Sequence, residues 1–141
     1  MAQHGRAEIV KAIEAGGIVA VIRMREPEKL RAVIDALADG GVRALEVTMT
    51  VPHAIEMIAQ LARSLPGGFV LGAGTVLDPE TARLAILAGA QFVVGPVFRA
   101  EVIATCHRYD VAAMPGCFTP TEILGAWETG ADIVKVFPAT A

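Results

Sequence analysis

The chain has little of what redox, metal-binding and nucleic-acid chemistries require. It has two cysteines, Cys106 and Cys117, with no CxxC spacing. That excludes a disulfide scaffold and leaves two buried or half-buried free thiols in a reducing compartment. The three histidines, His4, His53 and His107, lie far apart in sequence and open no metal-ligand motif, so no metal is expected. Lysines and arginines are scattered through a chain of net charge -3, which offers no surface for nucleic acid or an anionic membrane. The longest apolar runs are strand-sized and broken by Gly, Pro or charge, too short to span a bilayer. Met1 to Arg6 has no apolar signal-peptide region, so a cytoplasmic location is expected. No GxGxxG opens the first helix, and there is no P-loop. What remains is a chain that is 54% hydrophobic and long enough for one domain, residues 1–141, with a real core.

Glycines and prolines punctuate that chain into a repeating unit. Ile9, Val10 and Ile13 have helical spacing and stop at Gly16-Gly17. Ile18 to Ile22 reads as a buried strand. Pro27 then opens a helix with Leu30, Val33, Ile34 and Leu37 on one face. The pattern recurs with strands at 44–48, 69–75, 91–94 and 111–114. The helices between them are expected to open at Pro52, at Asp78-Pro79, at Arg99 and at Thr119-Pro120-Thr121-Glu122, the last a capping box. A sixth strand, Ile133 to Pro138, closes the pattern. Apolar strands alternating with helices want cover on both faces, which means parallel pairing. The favoured fold is an α/β barrel of the (β/α)8 type, with an open doubly wound sheet as the alternative. In both, chemistry sits at the carboxyl ends of the strands. Arg23, Glu46, Thr48, Thr50, Thr75, Pro96, Pro115 and Lys135 all gather there.

Two of these residues are out of place. Lys135 lies between Val134 and Val136 in an apolar strand, and the chain has only three lysines. A buried lysine loses hydration of its ammonium, its pKa falls, and it becomes an amine nucleophile able to form a Schiff base. The bland alternative is snorkelling to solvent or pairing with Asp132. Glu46 is likewise interior to Leu45-Glu46-Val47-Thr48. If Leu45 and Val47 meet the helices, alternation turns Glu46 into the barrel. A buried carboxylate needs a partner, and Lys135 is the evident one. A purely structural Glu–Lys pair is poor value for stability, so the pair points to function. Arg23 is a candidate bidentate carboxylate binder or a surface arginine beside Arg25 and Glu26. Thr75 is a candidate hydroxyl donor. Gly72, Gly74 and Gly95 allow close approach by a ligand or by packing neighbours.

Taken together, Leu45-Glu46-Val47-Thr48, Gly72-Ala73-Gly74-Thr75-Val76, Gly95-Pro96, Met114-Pro115-Gly116, Thr119-Pro120-Thr121-Glu122 and Lys135-Val136-Phe137-Pro138-Ala139 resemble the 2-keto-3-deoxy-6-phosphogluconate (KDPG) aldolase family, which includes the 4-hydroxy-2-oxoglutarate (KHG) aldolases. The resemblance implies a class I aldolase on a (β/α)8 barrel, a homotrimer acting on a small keto acid, with no metal or other cofactor beyond the lysine Schiff base. It implies that Lys135 is the Schiff-base lysine and that Glu46 moves protons through a bound water. Thr75 would contact the pyruvate carboxylate, and Pro96 and Phe137 would wall the site. Many members carry a carboxylate-gripping arginine where this chain has Thr50. A subgroup carries one at the end of the first strand, and Arg23 fits that place. The family continues for two more βα units with a Gly-rich phosphate-binding region, whereas this sequence stops at Ala141, so six of eight strands are expected. A structural or self-assembly module without turnover is the alternative that this difference motivates.

Overall fold

The computed structural model describes residues 5–24 and 27–140, with only the backbone at 27 and 28. Met1 to His4, the Arg25-Glu26 pair invoked beside Arg23, and Ala141 lie outside the described residues. The element order is α1 (Arg6–Gly16), β1 (Val19–Ile22), α2 (Pro27–Asp39), β2 (Ala44–Thr48), α3 (Ala54–Ser64), β3 (Val70–Gly74), α4 (Pro79–Ala88), β4 (Phe92–Val94), α5 (Ala100–Arg108), β5 (Ala112–Met114), β6 (Gly116–Cys117), α6 (Pro120–Glu128) and β7 (Lys135–Val136).

The strands β1 to β5 lie side by side in chain order, every pair parallel. A doubly wound sheet reverses its strand order at a switch point. This one never reverses, which rules out the alternative fold and matches barrel winding. The expected fifth strand is interrupted at Pro115. That residue has no N–H to give to a ladder, and its carbonyl accepts from the Lys135 N–H at 3.0 Å. Beyond it the strand resumes as β6 and pairs in parallel with β7.

Helix starts follow local chemistry. The Asp78 carboxylate accepts from the Thr81 N–H (2.6 Å), with Pro79 in the first turn of α4. Thr119 and Glu122 form the expected capping box on α6. The start of α3 differs from expectation. A turn closes from the Val51 N–H to the Thr48 carbonyl (3.0 Å), and His53 at φ 57° carries the chain round before the helix begins at Ala54, not Pro52.

Side-chain alternation splits the core into two layers. Leu45, Val47, Leu71, Ala73, Val93 and Ala113 face outward onto helix residues such as Ile34, Ile58, Ala85 and Ile103. Ala44, Val70, Phe92, Val94, Ala112 and Met114 face inward, and Ile9 and Ile13 of α1 pack among them. Helix α1 therefore plugs the end of the sheet where the strands begin. Arg6 fixes it there: its N–H donates to Asp110 (3.3 Å), and its guanidinium pairs with Asp132 (3.3 Å).

Two expected buried strands are not buried throughout. In the expected Ile18–Ile22 strand, Ile18 and Val21 are exposed, and in the Ile133–Pro138 segment Val136 and Phe137 are exposed. Each flanking strand pairs on one side only among the described residues, β1 with β2 and β7 with β6. One edge of each therefore has no strand neighbour among the described residues.

Candidate active site

The inward row of each strand defines the site floor. On β2 that row is Ala44, Glu46 and Thr48, because Leu45 and Val47 are taken by the helix layer. Glu46 is only 5% exposed and Thr48 is fully buried. On the last segment, Ile133 packs on the inner layer and Val134 on the outer. Lys135, two residues after Ile133, is therefore an inward residue. It is half-buried rather than buried, because β7 has a neighbour on one flank only.

The glycines of β3 explain how a carboxylate fits in this interior. Gly72 lies opposite Glu46 in the ladder, and Gly74 lies opposite Thr48. A Cβ on Gly72 would fall 2.3 Å from the Phe92 ring, and one on Gly74 would fall 1.7 Å from Glu46 Oε1. Of the two roles that the sequence leaves open for these glycines, the protein's own side chains fill the space. The Phe92 ring lies over Gly72 and the Glu46 carboxyl over Gly74.

Electrostatics single out Glu46. Burial pushes its carboxyl above the usual glutamate range, while the Lys135 ammonium and the Arg23 guanidinium pull in the opposite direction. Both cations therefore act on the same carboxyl from separate strands, Lys135 from β7 and Arg23 from just beyond β1. Arg23 is exposed at the mouth, two residues after Val21, which is in register with Glu46. Asp132 does not take up Lys135 as the bland alternative has it. Its carboxylate accepts from the Ala113 N–H (2.8 Å), meets His107 Nε2 (3.4 Å) and pairs with Arg6.

Thr75 stands where β3 ends, at φ 60°. A β-branched residue in the left-handed region is a true outlier and costs about 1–3 kcal/mol. Its neighbours hold it there: the Gly74 carbonyl accepts from the Met49 N–H (2.8 Å), and the Val76 N–H donates to the Val94 carbonyl (3.1 Å). No residue-type signal could have announced this, since threonine is disfavoured in that conformation. The Thr48 and Thr50 hydroxyls are hydrogen-bonded to each other beside Glu46, at the end of β2. Pro96 is half-buried past the end of β4. The Phe137 ring lies 4.8 Å from Lys135 Nζ, a cation–π distance. Of the six sequence candidates, Arg23, Thr75, Pro96 and Phe137 lie just past the ends of β1, β3, β4 and β7, whereas Glu46 is at the middle of β2 and Lys135 opens β7.

Other reactive groups do not compete with this cluster. Burial pushes the Cys106 thiol up to about 12, and Cys117 is raised by burial and by Glu122. Neither is a ready nucleophile near neutral pH. No group of three or more metal-ligating side chains occurs among the described residues. No helix among them is long and apolar enough to cross a membrane. A cavity of about 510 Å³ lies at the opposite end of the strands, lined by Leu65, Phe69, Leu87, Tyr109 and Asp110 among others. Its polar groups are engaged: Gln91 accepts from the Leu71 N–H, Tyr109 from Arg83 and Asp110 from the Arg6 N–H.

The family model described as KDPG and KHG aldolase matches residues 9–141. The 2-dehydro-3-deoxy-phosphogluconate aldolase of Treponema pallidum is 40% identical over 131 residues, covering 93% of this chain and 62% of that protein. The 2-dehydro-3-deoxy-6-phosphogalactonate aldolase of Escherichia coli is 33% identical, covering 88% of this chain and 60% of that one. Among solved structures, a KDPG aldolase from Legionella pneumophila with pyruvate captured as a covalent carbinolamine superposes with a TM-score of 0.84. It is 29% identical and covers 93% of this chain and 63% of that one. The chain spans about three-fifths of the length of these relatives. The match over nearly every described residue and the parallel winding of β1 to β5 in chain order lead to one conclusion: the chain belongs to the KDPG and KHG aldolase family.

Proposed function

We propose that this chain carries the Schiff-base centre of a pyruvate aldolase, which reversibly cleaves 2-keto-3-deoxy-6-phosphogluconate to pyruvate and glyceraldehyde 3-phosphate. The observation that carries the reading is the joint pull of Lys135 and Arg23 on the buried Glu46 carboxyl. The free amine of Lys135 attacks the C2 ketone, and loss of water leaves an iminium. That cation receives the electron pair of the breaking C3–C4 bond as Glu46, through water, takes the C4 hydroxyl proton. The aldehyde departs and leaves an enamine on Lys135. Protonation at C3 and hydrolysis of the iminium then release pyruvate. Arg23 and Thr75 hold the substrate carboxylate, and Pro96 and Phe137 wall the carbon chain. The exposed Phe118, Leu124 and Trp127 at and along α6 support assembly into a homotrimer.

Borohydride reduction in the presence of pyruvate, followed by peptide mass spectrometry, tests the assignment. A reduced pyruvate adduct on Lys135 and not on Lys11 or Lys29 supports it. A folded protein that gives none overturns it. With an adduct in hand, relative rates on 2-keto-3-deoxy-6-phosphogluconate and on 4-hydroxy-2-oxoglutarate decide between the phosphorylated substrate and the smaller keto acid.

The exposed side chains on β1 and β7 favour a second reading, a module that assembles through its strand edges without turnover. Light scattering separates the two. A discrete trimer supports the enzyme, and large, ill-defined particles support edge pairing.

A further inference from the structure

We propose that Gly74 is the positioning residue for Glu46: the missing side chain on β3 is the seat that holds the Glu46 carboxyl inside the barrel, turned to the lysine. The inference rests on the reading of Glu46 as the proton carrier. The geometry is specific. An added Cβ at Gly74 would lie 1.7 Å from Oε1, 2.4 Å from Cδ and 2.7 Å from Cγ of Glu46. Three successive atoms of the arm thus occupy the place of one methyl group. Gly74 does not need to be glycine for its backbone, because no positive φ occurs there. The space that its lack of a side chain leaves is filled by Glu46 alone among the nearest atoms. Below it, Gly72 is covered by the fully buried Phe92 ring, so the carboxyl rests on a dry floor. A methyl at position 74 would force the arm to rotate away from β3 and out of its nearly closed position, where Glu46 is 5% exposed, toward the mouth. There water hydrates the carboxylate and burial no longer raises its pKa.

The experiment follows the Glu46 carboxyl directly, by ¹³C NMR of side-chain-labelled glutamate, with Glu46→Gln used to assign the signal. In the native chain this carboxyl should titrate above its ordinary 4.5. In Gly74→Ala it should move down toward that value. The rate of pyruvate trapping on Lys135 should fall by about a hundredfold, while the pyruvate concentration giving half-maximal trapping stays within about twofold, since Arg23 and Thr75 are untouched. An unchanged Glu46 titration in folded Gly74→Ala overturns the proposal. If Gly74→Ala does not fold, the Glu46→Ala background decides. There the methyl has room, so Glu46→Ala/Gly74→Ala should have the urea midpoint of Glu46→Ala or a higher one, and a marked loss overturns the proposal. The two readings fail separately: absence of a pyruvate adduct in the native chain removes the aldolase assignment, whereas the titration and the urea midpoints judge the seat itself.

Discussion

The contact between Gly72 and Phe92 makes a prediction in which the sign of one substitution depends on another. Alanine at 72 would place its Cβ 2.3–2.5 Å from three carbons of the Phe92 ring, where ordinary carbon contacts lie about 3.5–4.0 Å apart. The ring is fully buried, with β4 pinned between β3 and β5, so it has no free direction in which to retreat. Overpacking of this kind costs about 1–3 kcal/mol, and about 2 is expected for Gly72→Ala. Phe92→Val removes all three clashing atoms and leaves a cavity. It should cost about 2–4 kcal/mol, less than truncation to alanine. In that background the alanine methyl enters empty space. It recovers about 0.8 kcal/mol of burial and roughly 0.5 kcal/mol from replacing a strand glycine. Gly72→Ala should therefore turn from a loss of about 2 into a gain of about 1 kcal/mol, a coupling of about 3, at the top of the range for touching residues. Urea unfolding of the four proteins measures this. With a slope near 2 kcal/mol/M, Gly72→Ala should lower the midpoint by about 1 M alone and raise it in Phe92→Val. Equal shifts in both backgrounds would refute the reasoning, because the ring would then not be what requires glycine.

Three further outcomes are expected. The Glu46 carboxyl has a raised native pKa, so its contribution to stability is full below about pH 4.5 and is lost as pH rises through the native value. Glu46→Gln should accordingly be more stable than the native chain at pH 7, with the advantage shrinking toward pH 4.5, and urea midpoints showing a pH-independent difference would contradict this. Thr75→Gly accepts φ 60° without penalty and should gain about 1 kcal/mol by thermal or urea unfolding. The same change removes the carboxylate contact proposed for Thr75, so it should raise the pyruvate concentration needed for trapping, and unaltered trapping would show that the hydroxyl plays no part. Thr119→Ala deletes the side-chain acceptor of the α6 capping box while the Glu122 carboxylate still accepts from the Thr119 and Phe118 N–H groups. A loss of about 1 kcal/mol, or a Tm lower by about 3 °C, should follow, and no change on calorimetry would assign the cap to Glu122 alone.

How much of this was legible in the sequence depends on which physics was local. The Asp78-Pro79 cap and the Thr119/Glu122 box involve residues three apart, and both formed as written. Glu46 was readable as inward because a two-residue period and two apolar neighbours suffice to orient it. The flanks of the sheet were not readable, since apolar content in Ile18 to Ile22 or in the β7 segment says nothing about whether a neighbour strand covers it. The break at Pro115 was visible as a strand end but not as a handover, because the partner of the resumed strand lies beyond α6. The Gly72 and Gly74 seats depend on side chains from β4 and β2, and pairing register decides which ones arrive. Thr75 runs against its own propensity, as expected where tertiary contacts override local preference.

The strand order also bears on how the molecule forms. Val19 pairs with Ala44, Gly72 with Phe92 and Gly116 with Lys135, so no ladder reaches back past a single helix. Each loop closure is short, and the sheet can grow unit by unit in the direction of synthesis. Helix α1 is the exception. It is made before all of the strands described, yet its binding surface is made of Val70, Phe92 and Ala112, and its tethers are Asp110 and Asp132. Helix α1 is thus made before the surface that it docks on, and until β3 to β5 are laid down Ile9 and Ile13 have no interior to enter.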